Sequence, residues 1–158
     1  GLERSGSASL GLRRIEAGIL DYQSDIDLSM TPFDAGLGAF VDLGKDDFVG
    51  KQALQNANTG CRLFGYVSQR GKVNSGLEIL DDGKKVGITK SSCWSPTLKK
   101  GIGYVVFDHP ADAGEDWVGK VLTLCDVEGD LHECEIVTLP LFDKEKKIPR
   151  GLSADDRS

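Results

Sequence analysis

VLTLCDVEGDLHECEIVTL, residues 121–139, is the stretch that indicates the fold most directly. Two short apolar runs flank Glu128-Gly129-Asp130, and a Gly between acidic residues is typical of the connection between two antiparallel strands. The runs are too short for stable helices and are rich in Val, Leu and Ile, which suit a half-buried strand. The segment therefore predicts a β-hairpin.

The same pattern recurs through the chain between residues 60 and 139. Asp81-Asp82-Gly83 is a second hairpin signal, and no long helical pattern separates the apolar runs. The runs predicted as strands are 62–69, 77–80, 85–89, 102–107, 121–126 and 132–139. Six short strands at this spacing predict an antiparallel barrel or sandwich.

The first 58 residues have a different pattern. Leu12, Ile15 and Ile19 share one helical face, which predicts a helix over residues 9–20. Residues 21–34 are rich in carboxylates and sustain no period, so we expect an ordered loop there. A short strand is predicted over 38–43, and a second helix over 48–57 with an N-cap at Asp46-Asp47.

These elements predict an α+β fold in three parts. Residues 1–58 are the helix and loop end of a domain whose beginning is missing, because they are too few and too polar to bury a core alone. Residues 59–142 form the antiparallel β-barrel of about six strands. Residues 143–158 are charged and form a flexible tail. Since the chain does not begin with Met, we expect a piece of a longer polypeptide.

Composition excludes several classes of function. The 158 residues carry 19 Lys and Arg against 25 Asp and Glu, and this net charge of −6 argues against nucleic-acid binding. No apolar run is long enough to cross a bilayer and no leader pattern is visible, so we expect no membrane association and a cytoplasmic location. No signature of the common hydrolases, kinases or dinucleotide-binding enzymes is present.

The cysteines and histidines predict thiols without a metal. The four cysteines contain no C-x-x-C, and His109 and His132 lack metal-ligand spacing. Cys125 and Cys134 flank the hairpin turn, a placement that allows them to face each other; free buried thiols are favoured over a disulfide or a metal site. The two G-x-G pairs at Gly36 and Gly101 are expected to be strand-edge turns rather than phosphate cradles.

Two stretches contain candidate binding residues. The loop aspartates Asp21, Asp25, Asp27 and Asp34 lie near Arg13-Arg14. They form either a pocket wall for a cationic or hydrogen-bond-donating group or a solvated loop in which carboxylates cap turns and pair with the arginines, which spacing alone favours. Further along, Trp94 precedes Ser-Pro and either fills the barrel or closes over a ligand from its rim.

Ordered motifs with matching spacing resemble the glycine cleavage T-protein family, the folate-dependent aminomethyltransferases. The resemblance covers residues 12–140. The motifs are Arg14-Ile15-Glu16-Ala17-Gly18, then Tyr22 with Asp25-Ile26-Asp27, then TPFDAGLG at 31–38, DFVGKQAL at 47–54, and DGKKVGIT at 82–89 with SPTL at 95–98.

The resemblance implies a one-carbon transferase that is more than twice as long as this chain. It implies tetrahydrofolate as the cofactor and places the catalytic aspartate and most of the folate cavity before residue 1, so no catalytic residue is expected here. Arg13, Arg14, Tyr22 and Asp25 are expected to face the folate, with Trp94 at the mouth of the cavity. In the alternative interpretation, the motif residues Arg14, Glu16 and Asp25 are scaffold.

The implied partners are folate, a small methylated amine or sulfonium donor, the missing N-terminal region and a lipoyl carrier protein, and a eukaryotic member would lie in the mitochondrial matrix. Leu10 and Ile19 stand where the family has a folate-contacting arginine and a tyrosine. The R-I-E run and the S-x-C-W-S-P corner are similar to the branch that includes dimethylsulfoniopropionate demethylase. This piece alone is expected to be inactive; the alternative function is a non-catalytic folate-binding or interaction module built from the same barrel.

Overall fold

A closed antiparallel barrel of six strands is the main body of the computed structural model, which describes residues 6–69, 73–110, 117–125, 128–148 and 150–152. The spatial order is β1-β4-β3-β2-β5-β6, and β6 pairs with β1 to close the barrel. The predicted barrel is confirmed, and its closure decides against a sandwich. The strands are β1 Leu63–Ser68, β2 Glu78–Asp81, β3 Lys84–Ser95, β4 Lys100–Phe107, β5 Val121–Cys125 and β6 Leu131–Val137.

Both predicted hairpins are present. Asp82 and Gly83 have φ of 47° and 79°, the pair of left-handed residues that a two-residue turn needs between twisted strands. Gly129, with φ 85°, lies between β5 and β6. Cys125 and Cys134 do not face each other, because Cys125 pairs with Leu131 at the hairpin end and Cys134 lies three residues farther along β6. No disulfide joins any of the four cysteines, all of which are described.

Two cores lie on opposite faces of β4. Val105 and Phe107 point into the barrel, where they pack with the other buried strand residues. Ile102 and Tyr104 point outward and pack against Ile15 of helix α1, Ser7–Glu16. Because both faces of β4 are covered, its sequence is an almost continuous apolar run instead of an alternating one. This second core fixes α1 to the outside of the barrel.

The rest of the N-terminal segment contains little regular structure. Helix α1 was predicted to reach residue 20 but ends at Glu16, two residues before Gly18. The second helix, α2 Lys51–Gln55, is five residues long and starts after Gly50, whose left-handed φ of 91° interrupts the predicted helix of 48–57. Its N-cap is Gly50, so the predicted cap at Asp46-Asp47 is wrong.

The strand predicted over residues 38–43 is wrong. Gly38–Phe40 forms a single 3-10 turn, and Phe40 is 85% exposed. Apolar residues in that stretch suggested a strand, but the barrel is closed and offers no free edge with which a further strand could pair. The loop predicted over residues 21–34 is confirmed, apart from one isolated bridge between Tyr22 and Ile26.

The start of the charged tail is organised by one carboxylate. Asp143 accepts hydrogen bonds from the N–H groups of Lys147 at 2.8 Å and Ile148 at 3.0 Å, which closes a turn directly after the barrel. Residues 153–158 lie outside the described residues. The flexibility of 143–158, like the domain limits 1–58 and 59–142, stays a prediction.

The buried thiol of Cys134 provides a direct test of the barrel interior. Burial raises its pKa to about 12, whereas a thiol in an unfolded chain has a pKa of about 8.5. At pH 8 we therefore expect iodoacetamide to modify Cys134 at least about a hundredfold more slowly in the native chain than in urea, because the thiolate is the reacting species. Mass spectrometry of digested samples measures the rate. Equal rates in the two conditions would contradict this packing.

Candidate functional site

Asp25 is a fully buried carboxylate that joins the acidic loop to α1 and to β3. Its Oδ2 accepts a hydrogen bond from Arg14 Nη1 at 2.6 Å and another from the Asp21 N–H at 2.9 Å. Its Oδ1 accepts a hydrogen bond from the Ser91 N–H at 3.2 Å. A buried carboxylate is tolerated when a cation and several donors satisfy it, and Asp25 has both. The acidic loop is therefore anchored at Asp25.

Ser91 reaches Asp25 because β3 bulges next to it. Between Thr89 and Ser92, β3 advances three residues while its partner β4 advances two. The extra residue interrupts the ladder, and the Ser91 N–H donates to Asp25. The Ser91 Oγ in turn accepts a hydrogen bond from Arg14 Nη2 at 2.7 Å. One residue of the barrel thus contacts both members of the ion pair.

Glu16 is a second buried carboxylate, only 2% exposed, at the end of α1. Its Oε1 accepts a hydrogen bond from Ser95 Oγ at 2.6 Å, and its Oε2 accepts one from Arg13 Nη1 at 3.2 Å. The Glu16 carbonyl accepts the N–H groups of Leu141 and Phe142 at 3.0 and 2.9 Å. The end of α1 is therefore held between the last residue of β3 and the segment that follows β6.

Tyr104 supports the same junction from β4. Its hydroxyl lies 3.2 Å from the carbonyl oxygens of Arg14 and Ile19 and 3.3 Å from that of Ile15. Burial raises the pKa of this hydroxyl, so it remains a hydrogen-bond donor at neutral pH. The Arg14 and Ile15 carbonyls also accept the N–H groups of Ile19 and Gly18, so the Tyr104 hydroxyl adds a contact from the barrel to a turn that is already hydrogen-bonded.

The five residues predicted to face a folate fall into two groups. Arg14 and Asp25 contact each other, and both also bond Ser91 and neighbouring backbone, an arrangement that supports the scaffold interpretation. Arg13 pairs with the buried Glu16, yet its side chain is 65% exposed. Tyr22 and Trp94 are 55% and 40% exposed. A folate contact by any of the five stays a prediction.

The interpretation of Trp94 as a plug inside the barrel is wrong. Trp94 lies opposite Gly101 near the end of the β3–β4 pair, and its ring is partly in solvent. The interior is filled instead by other large side chains, among them Tyr66, Phe107 and Leu124. The expectation that Gly101-Ile102-Gly103 is a turn is also wrong, because all three residues lie within β4.

The other loop carboxylates serve the loop itself. Asp21, Asp27 and Asp34 each accept hydrogen bonds from a Ser or Thr within three residues. Hydrogen bonds from the Ser29 hydroxyl and N–H lower the pKa of Asp27. These contacts favour the turn-capping interpretation over a pocket wall of four carboxylates.

A cleft of about 600 Å³ lies where the segment after α1 meets the strand ends of the barrel. Its lining is mainly apolar and includes Cys61 and Lys146. The apolar part of the lining includes Ile19, Leu20, Ile26, Leu63, Phe64 and Leu139. The sequence held no signal for this cleft, because its walls come from six separated stretches of the chain.

Metal centres and membrane-spanning helices are both absent from the described ranges. In that part of the chain, no group of three or more His, Cys, Asp and Glu side chains is placed to hold a metal ion. Over the same residues, no helix has both the length and the apolar character needed to cross a bilayer.

Sequence reasoning missed Ser91 and Ser95 as the barrel residues that receive the N-terminal segment. Both lie in the SSCWSP stretch, which the sequence marks only through Trp94 and through its resemblance to family motifs. Residues four apart on one strand point to the same face, so the pair could have been recognised as two polar side chains on a face that is otherwise covered. Their partners Arg14, Asp25 and Glu16 could not be assigned from spacing.

A family model described as the glycine cleavage T-protein C-terminal barrel domain matches residues 62–143, which include all six strands. The chain belongs to this family. The predicted family is thereby confirmed, while the suggested demethylase branch is not tested.

Full-length members of the T-protein family are longer than this chain. The aminomethyltransferase of Thermosipho melanesiensis is 32% identical over 142 residues, which are 85% of this chain and 37% of the relative. That of Prochlorococcus marinus strain NATL1A is 35% identical over 151 residues, 91% of this chain and 39% of the relative. The chain thus spans about two-fifths of the curated relatives it matches.

A solved structure shares the fold. The crystal structure of glycine cleavage system aminomethyltransferase T from Bartonella henselae superposes with a TM-score of 0.73 at 23% identity. The match covers 87% of this chain and 39% of that chain. It therefore extends beyond the barrel into the N-terminal segment, whose contacts with β3 carry the candidate site.

Proposed function

We propose that this chain is the C-terminal part of a folate-dependent aminomethyltransferase that moves a one-carbon unit from an amine donor to tetrahydrofolate. The observation that carries the proposal is that exposed side chains suited to binding lie on a segment that is fixed to the barrel. Arg14, Asp25 and Ser91 fix the loop to the barrel, while Tyr22 and Arg13 remain available on its surface. Binding groups on a fixed base keep their positions without an ordering cost when the ligand arrives.

The exposed side chains suit the two ends of a folate. An aromatic side chain such as Tyr22 or Trp94 offers a flat surface for a ring system, and the guanidinium of Arg13 can pair with a carboxylate. Tetrahydrofolate, when bound, supplies the nitrogen that accepts the one-carbon unit. Arg14 and Asp25 would act through position, since their hydrogen-bonding atoms already have partners within the chain.

We assign no catalytic residue to the described part of this chain. The loop aspartates are engaged in turns or in the ion pair. The proposed contribution of this chain is to bind and orient, while the reacting carboxylate lies in the part of the relatives that this chain does not span. On this proposal, the 158-residue chain alone has no transferase activity.

We propose that this additional part packs on the N-terminal segment. Large apolar side chains are exposed in this segment more densely than is usual on a surface that faces only solvent: Leu28 is 93% exposed and Phe40 85%. Apart from Tyr22, which is assigned to the ligand, the exposed large apolar side chains among the described residues of this segment are Leu10, Ile19, Leu28, Leu37, Phe40 and Val49. About three-fifths of each relative's length is available to cover them.

The donor we favour is an amine, in keeping with the name of the curated relatives. A sulfonium donor, as in the demethylase branch, is the second candidate, and it is favoured by the two departures from the T-protein pattern, Leu10 and Ile19, which replace an expected arginine and tyrosine. A lipoyl carrier protein as partner and a cytoplasmic location belong to the same proposal.

Calorimetric titration of the full-length protein with 5-formyltetrahydrofolate tests the proposal. We expect binding, and we expect Tyr22→Ala to weaken it by about tenfold while Tyr22→Phe, which keeps the ring, weakens it less than threefold. Leu131→Ala, a change at a 62% exposed position on β6, is the matched control and should leave the affinity unchanged.

Three outcomes separate the candidate functions. No binding of reduced folate by the full-length protein would overturn the proposal. Tight binding by the 158-residue chain alone, together with no one-carbon transfer by the full-length protein, would favour the non-catalytic folate-binding module. Transfer of a one-carbon unit to tetrahydrofolate from a sulfonium but not from an amine would show that the donor is that of the demethylase branch.

A further inference from the structure

The loop that presents Tyr22 is a tight turn with an unusual backbone. Tyr22 bridges to Ile26, and Gln23 has a left-handed φ of 75°, a conformation that few residues other than glycine adopt without support. The Gln23 N–H donates to the Ile26 carbonyl at 2.7 Å, and the Asp25 N–H donates to that of Asp21 at 2.9 Å. Such a turn keeps its shape only while its surroundings hold it.

One carboxylate connects this turn to the barrel. Asp25 has no exposed surface. Its two carboxylate oxygens accept the hydrogen bonds that connect the turn to Arg14 and to Ser91. The link to Arg14 is an ion pair at 2.6 Å, but the side chain of Arg14 is 23% exposed and needs a second contact to fix its direction. Arg14 Nη1 also donates to the Ile19 carbonyl at 3.1 Å, and the Ser91 Oγ provides the contact of the other nitrogen, at 2.7 Å from Arg14 Nη2.

We propose that Ser91 is a positioning residue for Tyr22, acting through the Arg14–Asp25 ion pair; the consequence for folate rests on the proposed function. The Ser91 N–H orients one oxygen of Asp25, and its Oγ orients the guanidinium that holds the other oxygen. The bulge in β3 is what places both groups on the loop side of the strand. Ser91, a residue of the barrel, thereby fixes the position of Tyr22, which lies in the N-terminal loop.

Ser91→Ala tests this inference, because it removes the Oγ and keeps the N–H. The first readout is amide hydrogen exchange in the 158-residue chain. We expect exchange at Gln23 and Asp25 to be about tenfold faster, with no change in β5 and β6, and we expect Ser91→Thr, which restores a hydroxyl, to return the wild-type rates. Unchanged exchange at Gln23 and Asp25 would overturn the inference whether or not the protein binds folate.

The second readout is a double-mutant cycle for binding of 5-formyltetrahydrofolate to the full-length protein. Ser91→Ala alone should weaken binding about fivefold, and in a Tyr22→Ala background it should weaken binding no further, because the group it positions is gone. A purely structural role would give the same loss in both backgrounds, which would contradict positioning. If exchange at the loop accelerates but the protein binds no folate, the proposed function fails and the positioning of Tyr22 stands.

Discussion

Arg14→Met is expected to lower the free energy of unfolding of this chain by about 3 kcal/mol. Met retains much of the length of the side chain but removes the cation from Asp25, which is 0% exposed and lies 2.6 Å from the guanidinium. A buried carboxylate left without its cation must either remain desolvated and charged or draw water into the junction. Urea unfolding followed by circular dichroism measures the loss.

Two further variants identify the cause of that loss. Arg14→Met combined with Asp25→Asn should be at least about 1 kcal/mol more stable than Arg14→Met alone, because both charges are then removed together. Lys85→Met breaks an ion pair whose members are 41% and 55% exposed and should cost less than about 1 kcal/mol. If the double variant were less stable than Arg14→Met, the buried charge would not be the source of the effect.

The barrel could be predicted because its signals are local. Asp82-Gly83 and Gly129 mark turns by their own backbone preference, and an apolar run between two turns needs no knowledge of its partner to be recognised as a strand. The length of β3 could not be predicted in the same way. Residues 90–95 are polar in part and extend the strand because they receive the N-terminal segment on one face.

The candidate site depended on contacts between distant residues, and there the sequence was less informative. Arg14 and Asp25 were selected as folate contacts or as scaffold, and spacing could not decide, because the decision depends on Ser91, 66 residues beyond Asp25. The wrong prediction of a strand at 38–43 arose differently. Its local sequence suits a strand, but the closed barrel has no free edge with which it could pair. Local preference thus specifies elements, and tertiary contacts determine which of them form.

Gly103→Ala is expected to destabilise the chain by about 3 kcal/mol. A Cβ at this position in β4 would lie 2.6 Å from the Ser91 carbonyl oxygen and 2.8 Å from the ring and hydroxyl of Tyr66. The carbonyl belongs to the bulge, so it cannot retreat without moving the Ser91 N–H that bonds Asp25. The Tyr66 hydroxyl is fixed as well, by its 2.8 Å hydrogen bond with Ser92 Oγ.

Gly11→Ala is the matched control, because the same added methyl group meets nothing within 4 Å in the middle of α1. There, replacement of Gly should stabilise the chain by about 0.5–1 kcal/mol through helix propensity. Urea unfolding of both variants should therefore give changes of opposite sign. A Gly103→Ala variant as stable as Gly11→Ala would mean that the β3 bulge does not pack tightly against β4. The position of the Ser91 N–H that bonds Asp25 would then not be fixed by β4.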